Sequence, residues 1–179
     1  MRPREILVAF DEYLDARALH LEAIVIGGAA LNLLGLISRP TKDCDILYPA
    51  LPEAIVAAAR AFAAEVRKRG ELLDDEWLNK GPATLADVLP DGWKMRAQRV
   101  FTGRALTLSA LGRTDLLRSK VFALCHRGID LGDCVALGPT ADELRELLPW
   151  LENQDANPGW PEHARSTVSD LGRRLGHGL

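Results

Sequence analysis

Residues 24–47 read IVIGGAALNLLGLISRPTKDCDIL. A short apolar run closes on Gly27-Gly28, and a small-residue, Leu-rich segment follows from Ala29 to Leu36. Arg39, Thr41, Asp43 and Asp45 then fall at every second position. The pattern predicts a strand, a tight glycine turn, a helix that starts directly at Gly28, and a second strand over Asp43–Tyr48. Side chains alternate faces along a strand, so Asp43 and Asp45 are expected to point the same way, about 7 Å apart. Two carboxylates beside a glycine turn that opens a helix can hold a divalent metal near a phosphate. The plainer reading is an αβ unit whose aspartates end a strand in solvent. It has a cost, because two like charges on one strand face repel unless a cation or a basic residue lies between them.

Composition limits the alternatives. A chain of 179 residues can bury one substantial core, or one domain with a helical appendage. A hydrophobic content of 47% and a charged content of 26% are those of an ordinary globular protein. The net charge of −3 argues against nucleic-acid binding by bulk electrostatics, though a local basic groove is compatible with it. Cys44, Cys125 and Cys134 are an odd number at no framework spacing, which suits a reducing cytoplasm. The N-terminus has no continuous apolar core with a small-residue cleavage site, so no signal peptide is expected. No run approaches the roughly 18 apolar residues of a membrane span, so no membrane partner is expected either.

Taken in order, Arg4–Ala18 reads as an amphipathic helix with Ile6, Leu7, Phe10, Tyr13 and Leu14 on one side. Leu21–Ile26 is the first strand. Glu53–Arg69 reads as an Ala-rich helix with Ile55, Val56, Phe62 and Val66 inward, stopped by Gly70. Residues 71–96 are irregular and rich in turn signals, which predicts a shaped substrate loop with short helices. Arg99–Phe101 and Ala105–Leu108 form a hairpin around Thr102-Gly103-Arg104. Helices are predicted over Asp115–Arg127, Asp130–Leu137, Ala141–Leu151 with a Thr140 cap, and Glu162–Leu175. The expected fold class is therefore α/β: a small mixed sheet flanked by helices, with a helical C-terminal part. A core over residues 1–113 and an extension over 114–179 are expected to pack as one compact unit.

The glycine pair, the helical spacer and the R-x-T-x-D-x-D run resemble the signature of the nucleotidyltransferase superfamily with the DNA polymerase β fold. The AbiEii-like minimal nucleotidyltransferases, which include toxins of toxin–antitoxin systems, are the branch most similar. The resemblance implies Mg²⁺ or Mn²⁺ on Asp43 and Asp45, and an NTP held near Gly27, Gly28, Arg39 and Thr41. It also implies transfer of NMP to tRNA or a protein, and a cognate antitoxin or toxin as partner.

The segment DLLRSKVFALCHRGIDLGD, residues 115–133, resembles a second motif of that group through Lys120, Ala123, Arg127, Asp130 and Asp133. The resemblance implies that Lys120 is catalytic and touches nucleotide phosphates, with Arg127, Asp130 and Asp133 in support. The plainer reading makes Arg127 the ion-pair partner of Asp130 or Asp133 in a structural clamp. Arg39, likewise, either contacts phosphate or offsets the repulsion between Asp43 and Asp45. The superfamily also places a third acid on a later central strand, whereas Ala105–Ala110 carries none. Asp115, Asp74 and Asp75 are the candidates. Its absence would mean a one-metal site, a relocated base or an inactive nucleotide- or partner-binding module.

No G-x-G-x-x-G, G-K-[ST] or G-x-S-x-G run is present, which sets aside dinucleotide, Walker-type and serine-hydrolase readings. Cys125-His126 with Cys134 has no zinc-ligand spacing. The four tryptophans are dispersed, so core packing is expected of most of them rather than base stacking.

Overall fold

A computed structural model describes residues 3–39, 41 and 43–178. The chain separates into two compact units, Met1–Gly112 and Arg113–Leu179.

The first unit is built on a mixed sheet. Its elements run α1 (Pro3–Asp15), β1 (Leu21–Ile26), α2 (Gly27–Leu33), β2 (Cys44–Tyr48), α3 (Glu53–Lys68), β3 (Leu78–Lys80), α4 (Ala83–Val88), β4 (Gln98–Thr102) and β5 (Leu106–Ala110). The strands lie in the order β3-β2-β1-β5-β4. β1 pairs antiparallel with β2 and parallel with β5, β3 runs parallel to β2, and β4 closes a hairpin on β5.

Strand alternation sorts the residues between two faces. Leu21, Ala23 and Val25 share one face with Leu106, Leu108 and Ala110, and all six are buried. The same face carries Cys44 and Ile46, also buried. Glu22, Ile24, Thr107, Ser109, Asp45 and Asn79 lie on the opposite face, where only Glu22 is fully exposed and the rest are half-buried.

The helical side of the core is aromatic. Phe10 of α1, Phe62 of α3 and Trp77 meet with ring centroids 5.0–6.0 Å apart, and the Trp77 indole N–H donates to the Ala59 carbonyl at 3.1 Å. Trp77 and Trp93 are thus buried parts of the core.

Three local expectations change. The helix after β1 begins at Gly27 and ends at Leu33, because the chain turns at the first glycine. The irregular interval holds β3 as well as α4. Three residues are too few to show a period, which is why the sequence pattern missed that strand. Val56, expected inward, is half-buried.

The second unit is helical: α5 (Arg113–Arg127), α6 (Leu131–Leu137), α7 (Ala141–Glu152) and α8 (Trp160–Arg174). Leu116, Leu117, Leu144, Leu147, Leu151 and Leu171 form its fully buried centre. A capping box starts α7: Thr140 Oγ1 accepts from the Glu143 N–H at 3.2 Å, and Glu143 Oε2 accepts from the Thr140 N–H at 2.9 Å. His163 and His177, which have no partner evident in the sequence, meet the carbonyls of Cys125 and Pro139 at 2.9 and 2.8 Å. All three cysteines are free and buried. Among the described residues no helix is long and apolar enough to cross a membrane.

Candidate functional site

The end of β1 and the start of β2 bring the glycines and one aspartate together. Ile26 lies opposite Asp45 in the antiparallel register, so the carboxylate-bearing residue flanks the point where the chain leaves the sheet. Gly27 follows at φ +69°, a left-handed conformation that suits glycine. A Cβ at this position would stand 2.8 Å from Asp45 Oδ2, so the missing side chain lets the carboxylate lie against the turn.

Gly28 repeats the device one residue on. A Cβ there would sit 3.2 Å from Thr41 Oγ1 and 3.8 Å from a terminal nitrogen of Arg39. The returning loop is tied down on both sides. Asn32 of α2 donates its side-chain amide to the Arg39 carbonyl at 3.1 Å, and the Thr41 hydroxyl donates to the Asp43 carbonyl at 3.0 Å. Gly27, Gly28, Arg39, Thr41 and Asp45 therefore form one cluster.

Asp43 is placed differently from its expected strand position. β2 begins at Cys44, whose N–H donates to the Trp77 carbonyl at 2.6 Å and so starts the ladder with β3. Asp43 lies ahead of the strand, exposed, and lines a pocket of about 30 Å³ with Thr41, Ala29, Leu33 and Trp77. Strand alternation governs Asp45 but does not reach Asp43. Among the described residues no group of three or more His, Cys, Asp or Glu is arranged to hold a metal.

The second motif lies in the helical unit and is closed on itself. The Lys120 ammonium is 3.0 Å from Asp130 Oδ1 and 2.6 Å from Asp133 Oδ2, and Arg127 holds the other Asp130 oxygen at 2.7 Å. Lys120, Asp130 and Asp133 are all buried. Burial alone would lower the Lys120 pKa, but hydrogen bonds and charge from the two aspartates more than offset it, and the net direction is upward. Cys134 in the same cluster is a poor nucleophile, its thiol pushed up to about 12 by burial and the neighbouring carboxylates.

Comparison with known proteins gives the family. The family described as "nucleotidyltransferase of unknown function (DUF6036)" matches residues 5–135. The chain belongs to that family. Residues 5–135 take in both the glycine–aspartate cluster and the Lys120 cluster. The family is a coarser placement than the AbiEii-like branch. No curated protein matches the chain. A solved structure, that of an antigenic nucleotidyltransferase-like protein from Paracoccidioides brasiliensis, is similar at 16% identity and a TM-score of 0.46. The match covers 94% of this chain and 86% of that one.

For a member of a nucleotidyltransferase family, the acids outside the cluster matter as much as those inside it. Neither β4 nor β5 carries a carboxylate. Asp115 is completely buried and pairs with Arg118 at 3.0 Å. Asp75 pairs with Arg67 at 2.6 Å, and Asp74 accepts from the Glu76 N–H at 3.0 Å. All three candidates for a third acid thus have partners within their own loop or helix neighbourhood. What the sequence reading missed is Asn79, which lies beside Asp45 in the β2–β3 register on the same sheet face. Its only signal was membership of a strand too short to recognise.

Proposed function

We propose that this protein is a metal-dependent nucleotidyltransferase that moves NMP from an NTP to an acceptor hydroxyl. The observation that carries the reading is the Asp45 carboxylate lying against Gly27, with Thr41 and Arg39 against Gly28. The donor set suits Mg²⁺ or Mn²⁺, since Mg²⁺ is usually held by one or two carboxylates and completes its shell with water and substrate phosphates. Asp45, with Asp43 from the adjoining loop, would hold the ion, which supplies Lewis-acid neutralisation of phosphate charge.

The protein's own groups then have distinct tasks. The side-chain-free turn at Gly27 and Gly28 lets phosphate oxygens approach the backbone. Arg39 offsets charge that builds on the departing pyrophosphate, and the Thr41 hydroxyl orients the loop that carries Asp43. The acceptor oxygen forms a bond to the α-phosphorus. The bond from the α-phosphorus to the bridging oxygen breaks with its electron pair leaving on pyrophosphate, and the hydroxyl proton passes to water.

Lys120 is assigned to stability rather than to phosphate contact, because its ammonium is already shared by two buried carboxylates. A toxin–antitoxin role, with tRNA or a protein as acceptor and a cognate toxin or antitoxin as partner, is what the resemblance of the Gly27–Asp45 motif to the AbiEii-like branch implies. The free, buried cysteines are compatible with a cytoplasmic location.

One observation favours a second reading, a nucleotide-binding module without catalysis: β5 lacks an acid on the face it shares with Asp45. The two readings part in one experiment. Purified protein is incubated with each α-³²P-labelled NTP and Mg²⁺ or Mn²⁺, alone, with total tRNA, and with protein extract, beside Asp45→Asn. Metal-dependent label in wild type alone is the expected result. Metal-dependent NTP binding without transfer would favour the module, and neither binding nor transfer would sink both.

A further inference from the structure

The sheet of the first unit ends on β3. Parallel pairing fixes which backbone groups of β3 are spent. The Cys44 N–H donates to the Trp77 carbonyl at 2.6 Å, and the Gly81 N–H donates to the Ile46 carbonyl at 2.8 Å. Trp77, Asn79 and Gly81 are therefore turned toward β2, and Leu78 and Lys80 turn their N–H and C=O groups away from the sheet. Among the described residues no hydrogen bond takes up those outward groups.

They open into a groove of about 560 Å³ between β3 and one face of α3. Val56 and Ala57 form an apolar wall on the helix side, which explains why Val56 is only half-buried. Glu53, Arg60, Glu76 and Lys80 supply the charges, and Arg60 and Glu76 pair with each other at 2.5 Å. Two acids against two bases give a polyphosphate chain no electrostatic gain. An extended polypeptide has the missing complement: alternating amide donors and acceptors for Leu78 and Lys80, and side chains for the apolar wall.

We infer that this groove binds an extended peptide segment as a further strand beside β3, and that the segment belongs to a protein acceptor. The acceptor role rests on the transferase reading of the Asp45 site, and the groove deepens it. Asp45 and Asn79 are neighbours in register. A strand added outside β3 would run about 10 Å from β2, two strand spacings away, with every second side chain on the Asp45 face. A hydroxyl-bearing side chain such as Tyr covers part of that distance and the phosphates of a nucleotide held at Asp45 would cover the rest, so that its oxygen takes the α-phosphoryl group as pyrophosphate leaves and its proton passes to water.

The test uses the full chain and two fluorescent probes. One is a pool of eight-residue peptides in which Val or Ile alternates with Tyr, Ser or Thr, and its control is the same pool N-methylated at alternate amides. The other is a fluorescent NTP with Mn²⁺. Lys80→Pro removes an outward N–H without touching the β2 ladder, and Arg60→Glu reverses one charge of the groove. Peptide binding is expected to weaken at least about fivefold on N-methylation and in Lys80→Pro, the loss of one hydrogen bond. NTP binding should not change in either variant. Label transfer to protein, but not the NTP affinity, should fall in both.

Equal binding of the methylated pool, or wild-type peptide affinity in Lys80→Pro, would overturn the groove. Transfer to tRNA that Lys80→Pro leaves intact would overturn the protein acceptor. A dimer that Lys80→Pro dissociates, with no peptide affinity, would make the edge a self-association site and overturn the proposal too. Loss of NTP binding in wild type strikes the transferase reading and is read separately, from the second probe.

Discussion

The chain carries two pairs of aspartates that look alike on paper, Asp43/Asp45 and Asp130/Asp133, and the fold treats them in opposite ways. Asp130 and Asp133 are buried around the Lys120 ammonium, with Arg127 on the remaining oxygen of Asp130. Asp45 is half-buried against the backbone of Gly27, and Asp43 is exposed on the loop before the strand. The first pair has its cation built in. In the second, a glycine turn where a side chain would otherwise stand lets the Asp45 carboxylate lie against the backbone, with Thr41 and Arg39 beside the next glycine. Spacing between acids says little about their use, and what lies against each carboxylate says more.

The largest expected effect breaks the closed pair. Lys120→Met leaves two buried carboxylates without their common partner and should cost about 3–5 kcal/mol in urea unfolding of the full chain. Adding Asp130→Asn and Asp133→Asn to that variant should recover most of the loss, since the uncompensated charge is then gone. The raised Lys120 pKa gives the sign in alkali. A folded value above the unfolded one means that the contribution is complete below the ordinary lysine pKa and is lost as pH rises through the folded value. A triple variant as unstable as Lys120→Met would show that the cluster is held by packing rather than by charge.

Asp11 provides a comparison within the sheet unit, a carboxylate saturated by backbone. It accepts from the N–H groups of Arg104, Ala105 and Leu106 at 3.0, 2.8 and 2.7 Å and so ties α1 to the turn of the β4–β5 hairpin. Burial works to raise its pKa, but the three hydrogen bonds and the Arg104 charge prevail and lower it. Asp11→Ala should cost about 2–4 kcal/mol, from several hydrogen bonds to a charged acceptor. The depressed pKa means that wild type holds this contribution above the ordinary aspartate pKa and loses it as pH falls through the folded value, whereas Asp11→Ala has nothing of that kind to lose. Parallel acid titrations of the two proteins by circular dichroism would fail the idea if their curves kept a constant separation.

The sheet core, the glycine turn and the helices of the second unit were legible because each spans enough residues to show a period or carries a turn residue with one backbone use. Leu21–Ile26 ending on Gly27 is the plainest case. β3 was not legible, since Leu78–Lys80 is shorter than one alternation can establish. Asp43 falls one residue outside β2 for a related reason: where a strand begins is decided by its neighbour, here the Trp77 carbonyl, and a local pattern does not contain that neighbour. The Lys120–Asp130 ion pair joins positions ten apart in the chain, a contact that a helical reading of 115–127 does not reach.

Gly27→Ala probes the Asp43/Asp45 pair through its turn. The substitution combines a left-handed φ with a Cβ 2.8 Å from Asp45 Oδ2, so it should cost about 1–2 kcal/mol and displace the carboxylate. Metal-dependent NTP affinity should fall with it, measured by fluorescence anisotropy. A normal affinity would mean that the Gly27–Asp45 contact is packing and has no part in binding.

Asp45→Asn should have the smallest effect on stability and separates the two pairs most sharply. Asn keeps the size of the side chain and one acceptor oxygen and removes only the charge, so unfolding should move by no more than about 1 kcal/mol, the scale of a single ion pair outside the core. Transfer activity should nevertheless fall at least about 100-fold, the scale for losing one preorganised electrostatic group. The same change at Asp133 should do the reverse, lowering stability and leaving transfer per folded molecule unchanged, because its carboxylate is committed to Lys120. If Asp45→Asn instead destabilises the chain as much as Asp133→Asn does, both acids serve the fold. The glycine turn would then be packing around a structural carboxylate, and catalysis would have to be sought elsewhere in the molecule.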